Sequence, residues 1–133
     1  MNYLLIVLYS GCLYFSSEGR DVWGASAWCQ NNGGYLVEIL NESQMDFLIM
    51  QLNFVEVYEG SKLWWTGGSD NNREGNWYWQ HTLQDVENFV WDEGRPGQDT
   101  FDNYLLLSWD RGYMGFDSNG AVKACHYICQ QDV

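Results

Sequence analysis

The sequence predicts a single α+β domain, with helices in the first half of the chain and short strands in the second. Residues 22–32 and 42–52 carry apolar side chains at helical spacing, whereas aromatic runs separated by turn-rich polar stretches follow residue 60. Fourteen glycines beside eight tryptophans and nine tyrosines also favour short strands and many turns over long helices. We therefore expect two helices, small antiparallel sheets and a long irregular loop.

The first helix is predicted over "VWGASAWCQNN", with Asp21 as its N-cap. Val22, Ala25 and Cys29 then fall on one side of it, and Gly33-Gly34 ends it. This pattern indicates a helix that buries the side carrying Cys29.

The second helix is predicted after Asn41, because Gln44 three residues later makes a variant of the capping box. Its apolar residues recur at the i, i+3, i+4, i+7 spacing of a buried face. They are Met45, Leu48, Ile49 and Leu52.

Five apolar or aromatic runs are typical of strands, and between them lies a long irregular stretch at residues 80–103. The runs are "YLVEI", "KLWWTGG", "NWYWQ", "YLLLSW" and "ACHYICQ". A loop of that length in a small domain is usually functional or disordered, and its aromatic residues favour order.

The N-terminal residues 1–11 are apolar and can be interpreted in two ways. "NYLLIVLY" resembles the apolar part of a signal peptide, but no positive charge precedes it, which favours a first strand. The run is too short for a transmembrane helix. We assign residues 12–133 to the domain itself.

A formal net charge of −12, with six Lys plus Arg, argues against binding to nucleic acid and against insertion into membranes. The acidity indicates either solubility alone or a site for a cation or a basic partner. The four cysteines lack the spacing of a zinc site, so an extracellular disulfide is favoured and the protein is predicted to be secreted. The sequon Asn41-Glu42-Ser43 agrees with secretion.

Taken together, six segments resemble the C-type lectin-like domain in order and spacing. They are "CLYFS" at 12–16, "DVWGASAWCQNNGGYLVEI" at 21–39, "WWTGGSDNNREGNWYW" at 64–79, "FVWDEGRPG" at 89–97, "GFD" at 115–117 and "YICQ" at 127–130. The resemblance covers nearly the whole chain from residue 12. It implies a secreted lectin fold that recognises carbohydrate, without catalysis.

The resemblance also implies that Cys29 on the first helix pairs with Cys129 on the last strand. A second bridge, usual in the family, is missing, because Tyr104 stands where one cysteine is expected and Gly120 or Ala121 stands near the other. Cys12 and Cys125 are left as free thiols or as partners in intermolecular bridges.

The only proline, Pro96, stands where sugar-binding members have a triplet with a cis proline whose neighbours ligate Ca²⁺. Here Arg95 and Gly97 replace the two ligating residues, so the resemblance implies a weakened calcium site. Asp102 and Asp117 match ligating acids, and Gln98 and Asp99 are near enough to substitute.

A second calcium site of the family uses two acids four residues apart, a spacing that Asp70 and Glu74 reproduce. Gln98 and Asn103 stand where further acids are expected. The alternative interpretation is that Asp70 caps a turn and Glu74 is a solvated acid.

The function expected from this resemblance is a non-catalytic module that binds a glycan or glycoprotein, with weak or absent calcium dependence. Trp109 and Tyr113 are candidates for stacking on sugar rings. The alternative is metal-independent binding of a protein ligand, and an ice-binding or coat role also exists in the family. An enzyme is disfavoured because His81 and His126 have no Ser or Cys partner in a recognisable motif. The expected ligand-binding residues are Arg95, Pro96, Gln98, Asp99, Asp102, Asn103 and Asp117.

Overall fold

The structure, a computed structural model, describes residues 4–6, 11–59, 63–71, 75–87, 90–91, 104–108, 114–117 and 124–132. In residues 4–6, 55–59, 90–91 and 114–117 it describes the backbone only. Two helices and a mixed sheet confirm the predicted α+β class, but the strands form one sheet with two parallel pairs where small antiparallel sheets were predicted.

The first helix, α1, spans Val22–Asn31 and has the predicted N-cap. The Asp21 carboxylate accepts the backbone N–H of Gly24 at 2.7 Å, which satisfies a donor that the helix itself leaves unpaired. Gly33 adopts φ 86° just after the end of the helix, a conformation that favours glycine. The predicted buried side is confirmed, since Val22, Ala25 and Cys29 are all buried.

The second helix, α2, spans Glu42–Glu59. The Asn41 side chain accepts the Gln44 N–H at 2.9 Å, and the Gln44 side chain in turn accepts the Leu40 N–H at 2.8 Å. This reciprocal pair reaches one residue further back than a standard capping box. The predicted face is confirmed: Met45, Leu48 and Leu52 are buried, and Ile49 is partly buried.

Nine strands form one mixed sheet in the described residues, in the order β1-β2-β9-β4-β7-β8-β6, with β3 added to β9 and β5 to β4. The neighbours β4 and β9 run parallel, as do β6 and β8, and the other pairs are antiparallel. The strands are β1 Leu4–Ile6, β2 Gly11–Phe15, β3 Tyr35–Leu36, β4 Leu63–Ser69, β5 Tyr78–Trp79, β6 Val90–Trp91, β7 Tyr104–Ser108, β8 Met114–Asp117 and β9 His126–Asp132.

The N-terminal strand β1 pairs with β2, with Leu5 opposite Cys12. A strand is the interpretation that the sequence favoured for these residues. The division of the chain between residues 11 and 12, and any cleavage of the N-terminal segment, stay predictions.

Successive residues of the central strands enter two different cores, because side chains alternate across a sheet. Trp64 of β4 and Leu105 of β7 pack in the core that contains α2. Trp65 and Leu106, their neighbours in sequence, pack in the core that contains α1. The sheet therefore separates the two helices, and both of its faces are buried along β4 and β7.

The predicted disulfide is confirmed, since Cys29 of α1 is bonded to Cys129 of β9 across a separation of 100 residues. Cys12 is half-buried, Cys125 is buried, and neither forms a disulfide in the part of the chain that the structure describes. Tyr104, which stands where the resemblance places a half-cystine, packs edge-to-face on Trp23 of α1 with ring centroids 6.0 Å apart. An aromatic contact therefore links α1 to the start of β7.

Two of the strands are shorter in the structure than the sequence predicted. "YLVEI" forms a strand only at Tyr35–Leu36, and "NWYWQ" only at Tyr78–Trp79. Val37, Glu38 and Ile39 are buried in succession, which the alternation of a strand with one solvated face does not permit. Val37 instead donates to Ile128 at 2.9 Å and accepts from Gly67 at 2.8 Å, so this segment connects β9 to β4.

Candidate functional site

The acids that the structure describes near the predicted calcium sites belong to one end of the sheet. Asp70 directly follows β4, whose last residue, Ser69, pairs with Tyr104 at the start of β7. Asp117 ends β8 and pairs with Leu105, the next residue of β7. Strand β7 lies between β4 and β8, so Asp70 and Asp117 flank β7 at the same end of the sheet, which we call the Asp70 end.

The Asp70 carboxylate is only 2% exposed and is half-satisfied. Its Oδ2 accepts the backbone N–H of Gly75 at 2.9 Å, which closes the turn after β4. Its Oδ1 is buried and has no hydrogen-bond partner among the described residues. A buried carboxylate oxygen without a partner is energetically costly unless a cation, a water or a donor completes it. Asp70 therefore closes a turn and keeps one buried acceptor oxygen that the described residues leave unsatisfied.

Most of the sequence-predicted site lies outside the described residues. This holds for the ligand candidates Arg95, Pro96, Gln98, Asp99, Asp102 and Asn103, for the metal candidate Glu74, and for the stacking candidates Trp109 and Tyr113. Asp117 is described by its backbone alone. The described residues contain no cluster of three or more His, Cys, Asp or Glu side chains that could hold a metal ion. The assignments of these residues stay predictions.

A second polar feature, which the sequence did not reveal, is a cavity of about 210 Å³ between α1, β3, β4 and the turn after β5. We call it the Glu38 pocket. The residues that line it are Ser26, Gln30, Tyr35, Leu36, Glu38, Gly67, Gln80 and His81.

Glu38 is 2% exposed and accepts two backbone donors of the turn beside it. Its Oε2 lies 2.6 Å from the His81 N, and its Oε1 lies 3.2 Å from the Thr82 N. Burial raises the pKa of the Glu38 carboxyl above its ordinary value, although the hydrogen bonds from His81 and Thr82 act in the opposite direction. A single charged residue within the apolar run "YLVEI" was the available signal.

One wall of the Glu38 pocket is aromatic. The rings of Tyr35 and His81 are stacked, with centroids 3.7 Å apart and an interplanar angle of 7°. The Tyr35 hydroxyl donates to Asp132 at 2.7 Å, and its pKa is raised by burial and by this hydrogen bond. The stack is therefore held at both ends, by Asp132 at the tyrosine hydroxyl and by Glu38 at the backbone of His81.

The close approach of two backbones forms the floor of the pocket. A Cβ on Gly67 would lie 2.8 Å from the Leu36 carbonyl oxygen and 3.3 Å from that of Val37, so only glycine fits there without a shift. Gln80 then donates its backbone N–H to the Gly67 carbonyl at 2.9 Å, which fixes the turn after β5 against β4.

Comparison with known proteins identifies the family. A model of the lectin C-type domain matches residues 18–131. This chain belongs to the C-type lectin domain family. It is 28% identical over 87 residues to the perlucin-like protein of Mytilus galloprovincialis, across 65% of this chain and 54% of that protein. It is 24% identical over 121 residues to the hepatic lectin of Gallus gallus, across 90% of this chain and 54% of that protein. The chain therefore spans about half the length of these two relatives.

Solved structures confirm the fold. The mouse scavenger receptor C-type lectin carbohydrate-recognition domain superposes with a TM-score of 0.81 at 19% identity, over 98% of this chain and 93% of that chain. A calcium-independent type II antifreeze protein superposes with a TM-score of 0.80 at 19% identity, over 98% of this chain and 91% of that chain. In the described part of this C-type lectin domain, no helix is both long and apolar enough to span a bilayer.

Proposed function

We propose that this chain is a non-catalytic extracellular recognition domain that binds carbohydrate at the Asp70 end of the sheet, with weak or absent calcium dependence. The observation that carries the proposal is the buried, unpartnered Oδ1 of Asp70 in a C-type lectin domain. Such an oxygen can ligate an enclosed cation, or accept a sugar hydroxyl once the residues that cover it move. The predicted ligand residues, at positions 95–103 and 117, would supply further amides and carboxylates.

Some of these residues have the oxygen atoms that Ca²⁺ takes as ligands. Ca²⁺ takes six to eight oxygen ligands, and Asp70 supplies one carboxylate oxygen that has no other partner in the described structure. Glu74, Asp102 and Asp117 would add carboxylates if they face the same point. Arg95 brings a positive charge where the family has a ligand, so the affinity for calcium should be low.

Packing of the two histidines supports a non-catalytic role. His81 stacks on Tyr35, and His126 packs edge-to-face on Trp64 with ring centroids 5.3 Å apart. Aromatic packing therefore accounts for both rings, and neither has a hydrogen bond to a Ser or Cys nucleophile among the described contacts. We propose a glycan or glycoprotein as the partner, with a protein ligand as the alternative outcome of the test.

The test measures retention of the purified chain on immobilised monosaccharides and on glycoproteins with and without enzymatic removal of their glycans. Each column is run with a chelator and again with Ca²⁺ up to about 10 mM, above the roughly millimolar Kd of extracellular calcium modules. We expect retention on at least one sugar, elution by the free sugar, and a difference of less than about tenfold between the two buffers. Asp70→Asn and Asp117→Ala should weaken retention.

Asp46→Ala is the matched control, because Asp46 is an exposed acid on α2 that belongs to neither the predicted ligand set nor the predicted metal set. It should leave retention unchanged. Retention on glycoproteins that survives removal of their glycans, with no retention on any sugar in either buffer, would replace carbohydrate by a protein ligand. Complete loss of sugar retention in chelator would contradict the weak calcium dependence.

A further inference from the structure

The Glu38 pocket shares no residue with the predicted ligand set. Gly67, its contribution from β4, lies three residues before Asp70, which is about 10 Å along an extended strand. The other lining residues come from α1, β3, the segment after β3 and the turn after β5. The pocket is therefore a separate candidate site, on the side of β4 where α1 and β3 pack.

The lining of the pocket is rich in hydrogen-bond acceptors and lacks Lys and Arg. Gln30 and Gln80 are exposed carboxamides, and the Ser26 hydroxyl accepts from the Gln30 side chain at 3.3 Å. A carboxylate has about four acceptor positions, and the backbone donors of His81 and Thr82 occupy two of those on Glu38. The Thr82 side chain donates to Glu38 as well, so about one acceptor position remains for a ligand. A lining of this kind repels anions and favours a ligand with several hydroxyl donors.

The size of the cavity and its aromatic wall restrict the ligand further. A volume of about 210 Å³ is below the roughly 300–1,000 Å³ of sites for drug-sized molecules, so the ligand is small. Tyr35 and His81 both line the pocket, and because their rings stack on each other, the outer faces and the edges of the rings are the apolar surface available to a ligand. One surface that takes C–H groups, next to acceptors that take O–H groups, matches the two kinds of surface on a single sugar ring.

The floor and the wall of the pocket are also held in place before any ligand arrives. Glu38 fixes the His81 backbone, Gly67 fixes the Gln80 backbone, and Asp132 fixes the Tyr35 hydroxyl. A site whose polar groups are already oriented loses less conformational entropy when it binds a ligand.

We propose that the Glu38 pocket is a metal-independent subsite for a small neutral polyol of the size of one monosaccharide. Its hydroxyls donate to Glu38, Gln80 and Ser26, and its C–H face packs on the Tyr35–His81 stack. This subsite acts separately from the one proposed at the Asp70 end of the sheet.

The test is a ¹H–¹⁵N NMR titration of the whole chain in chelator with glucose, galactose, mannose and N-acetylglucosamine, each up to about 50 mM, well above a millimolar Kd. We expect at least one sugar to give saturable shifts centred on the amides of Gln80, His81 and Thr82. Gln80→Ala should weaken that affinity by about tenfold, the loss of one good hydrogen bond. Absence of saturable shifts at these amides with all four sugars would overturn the proposal.

Gln84→Ala is the matched control, since Gln84 is an exposed glutamine of the same turn that does not line the pocket. Equal losses of affinity in Gln80→Ala and Gln84→Ala would overturn the proposal, because they would reflect the turn and not the pocket. Asp117→Ala separates the two proposed sites. Binding that Asp117→Ala abolishes and Gln80→Ala leaves intact would overturn the pocket and retain the site at the end of the sheet. The reverse pattern would retain the pocket alone.

Discussion

The two helices of this domain pack on opposite faces of the sheet and are stabilised in different ways. The shorter helix, α1, has 10 residues and is tied to β9 by the Cys29–Cys129 disulfide. The longer helix, α2, has 18 residues and no covalent tie in the described structure. It is anchored by buried Met45, Leu48 and Leu52.

The helices also differ in the apolar side chains that they leave exposed to solvent. Helix α2 leaves Met50 and Phe54 more than half exposed, at the i, i+4 spacing of neighbours on one helix face. On α1 the large exposed apolar residue is Trp23, and its ring packs on Tyr104. The comparison teaches that a disulfide closing a long loop allows a short helix to hold its position with little apolar area. The helix without a disulfide is longer and buries larger apolar side chains.

The largest expected effect comes from breaking the covalent tie of α1. Cys29→Ser opens a loop of 100 residues, for which the chain-entropy model gives a loss of up to about 4.7 kcal/mol in the free energy of unfolding. Urea unfolding in oxidising buffer measures this loss. Cys12→Ser is the control, because Cys12 forms no disulfide within the described part of the chain and is only half-buried, and this change should cost much less stability. An unchanged midpoint for Cys29→Ser would show that the bridge adds no stability.

The next largest expected effect is the loss of stability when the buried apolar face of α2 is truncated. Leu48 is fully buried, so Leu48→Ala should cost about 2–5 kcal/mol through lost transfer energy and the cavity left behind. Met50→Ala removes a side chain that is 53% exposed on the same helix and should change stability by no more than about 0.5 kcal/mol. Both values come from urea unfolding. Similar losses in the two variants would contradict the assignment of the buried face.

A smaller effect compares the two N-caps. Asp21→Ala and Asn41→Ala should each cost about 1 kcal/mol. The loss should be larger for Asp21, whose half-buried carboxylate accepts at 2.7 Å, than for the exposed Asn41, which accepts at 2.9 Å. Thermal unfolding of the pair measures the difference.

Asp21→Asn and Asn41→Asp are the controls for the caps, because each keeps a side-chain oxygen as acceptor. They should restore most of the stability lost in the alanine variants. Losses that are as large in these controls as in the alanine variants would show that capping is not the cause.

The smallest expected effect is a pH dependence of stability caused by Glu38, which lies in the segment that joins the two helices. Its pKa in the folded protein is raised above the ordinary 4.5, so the folded state holds the proton more tightly than the unfolded state does. The stability that this group contributes is therefore fully present below pH 4.5 and is lost as the pH rises through the folded pKa.

Urea unfolding of the wild type and Glu38→Gln, from pH 4 to pH 8, tests this sign. The difference, wild type minus variant, in the free energy of unfolding should fall as the pH rises above 4.5 and then level off. Gln84→Ala, an exposed and non-titrating change in the neighbouring turn, should reproduce the wild-type profile. A difference that rises with pH would contradict the dominance of burial over the hydrogen bonds from His81 and Thr82.

Local patterns predicted the helices well, because a helix is closed by hydrogen bonds within one segment and shows its buried face as a 3.6-residue period. Asp21, Asn41 and the buried faces could be read in this way. The Cys29–Cys129 pairing came from the resemblance to the family and not from spacing, since four cysteines allow several pairings.

The Glu38 pocket could not be predicted, because its residues come from distant parts of the chain. Glu38 and His81 are 43 residues apart, and Tyr35 and Asp132 are 97 residues apart. The lengths of β3 and β5 were mispredicted for a related reason. The β-propensity of both segments is high, but tertiary hydrogen bonds end the strands early. Val37 bonds to Ile128 and Gly67 after β3, and Gln80 bonds to Gly67 after β5.

The sequence by itself determined the α+β class, the starts and caps of both helices, and the membership of the chain in a family of recognition domains. The class and the helices depend on periodicities within single segments, and the family membership depends on the order and spacing of six segments. Only the tertiary structure decided that Trp64 packs in the core with α2 and Trp65 in the core with α1. It also decided that one buried oxygen of Asp70 has no hydrogen-bond partner among the described residues, and that Glu38 binds the backbone of the turn after β5. Burial and hydrogen-bond satisfaction are properties of the assembled chain, because the partner of each group lies far away in the sequence.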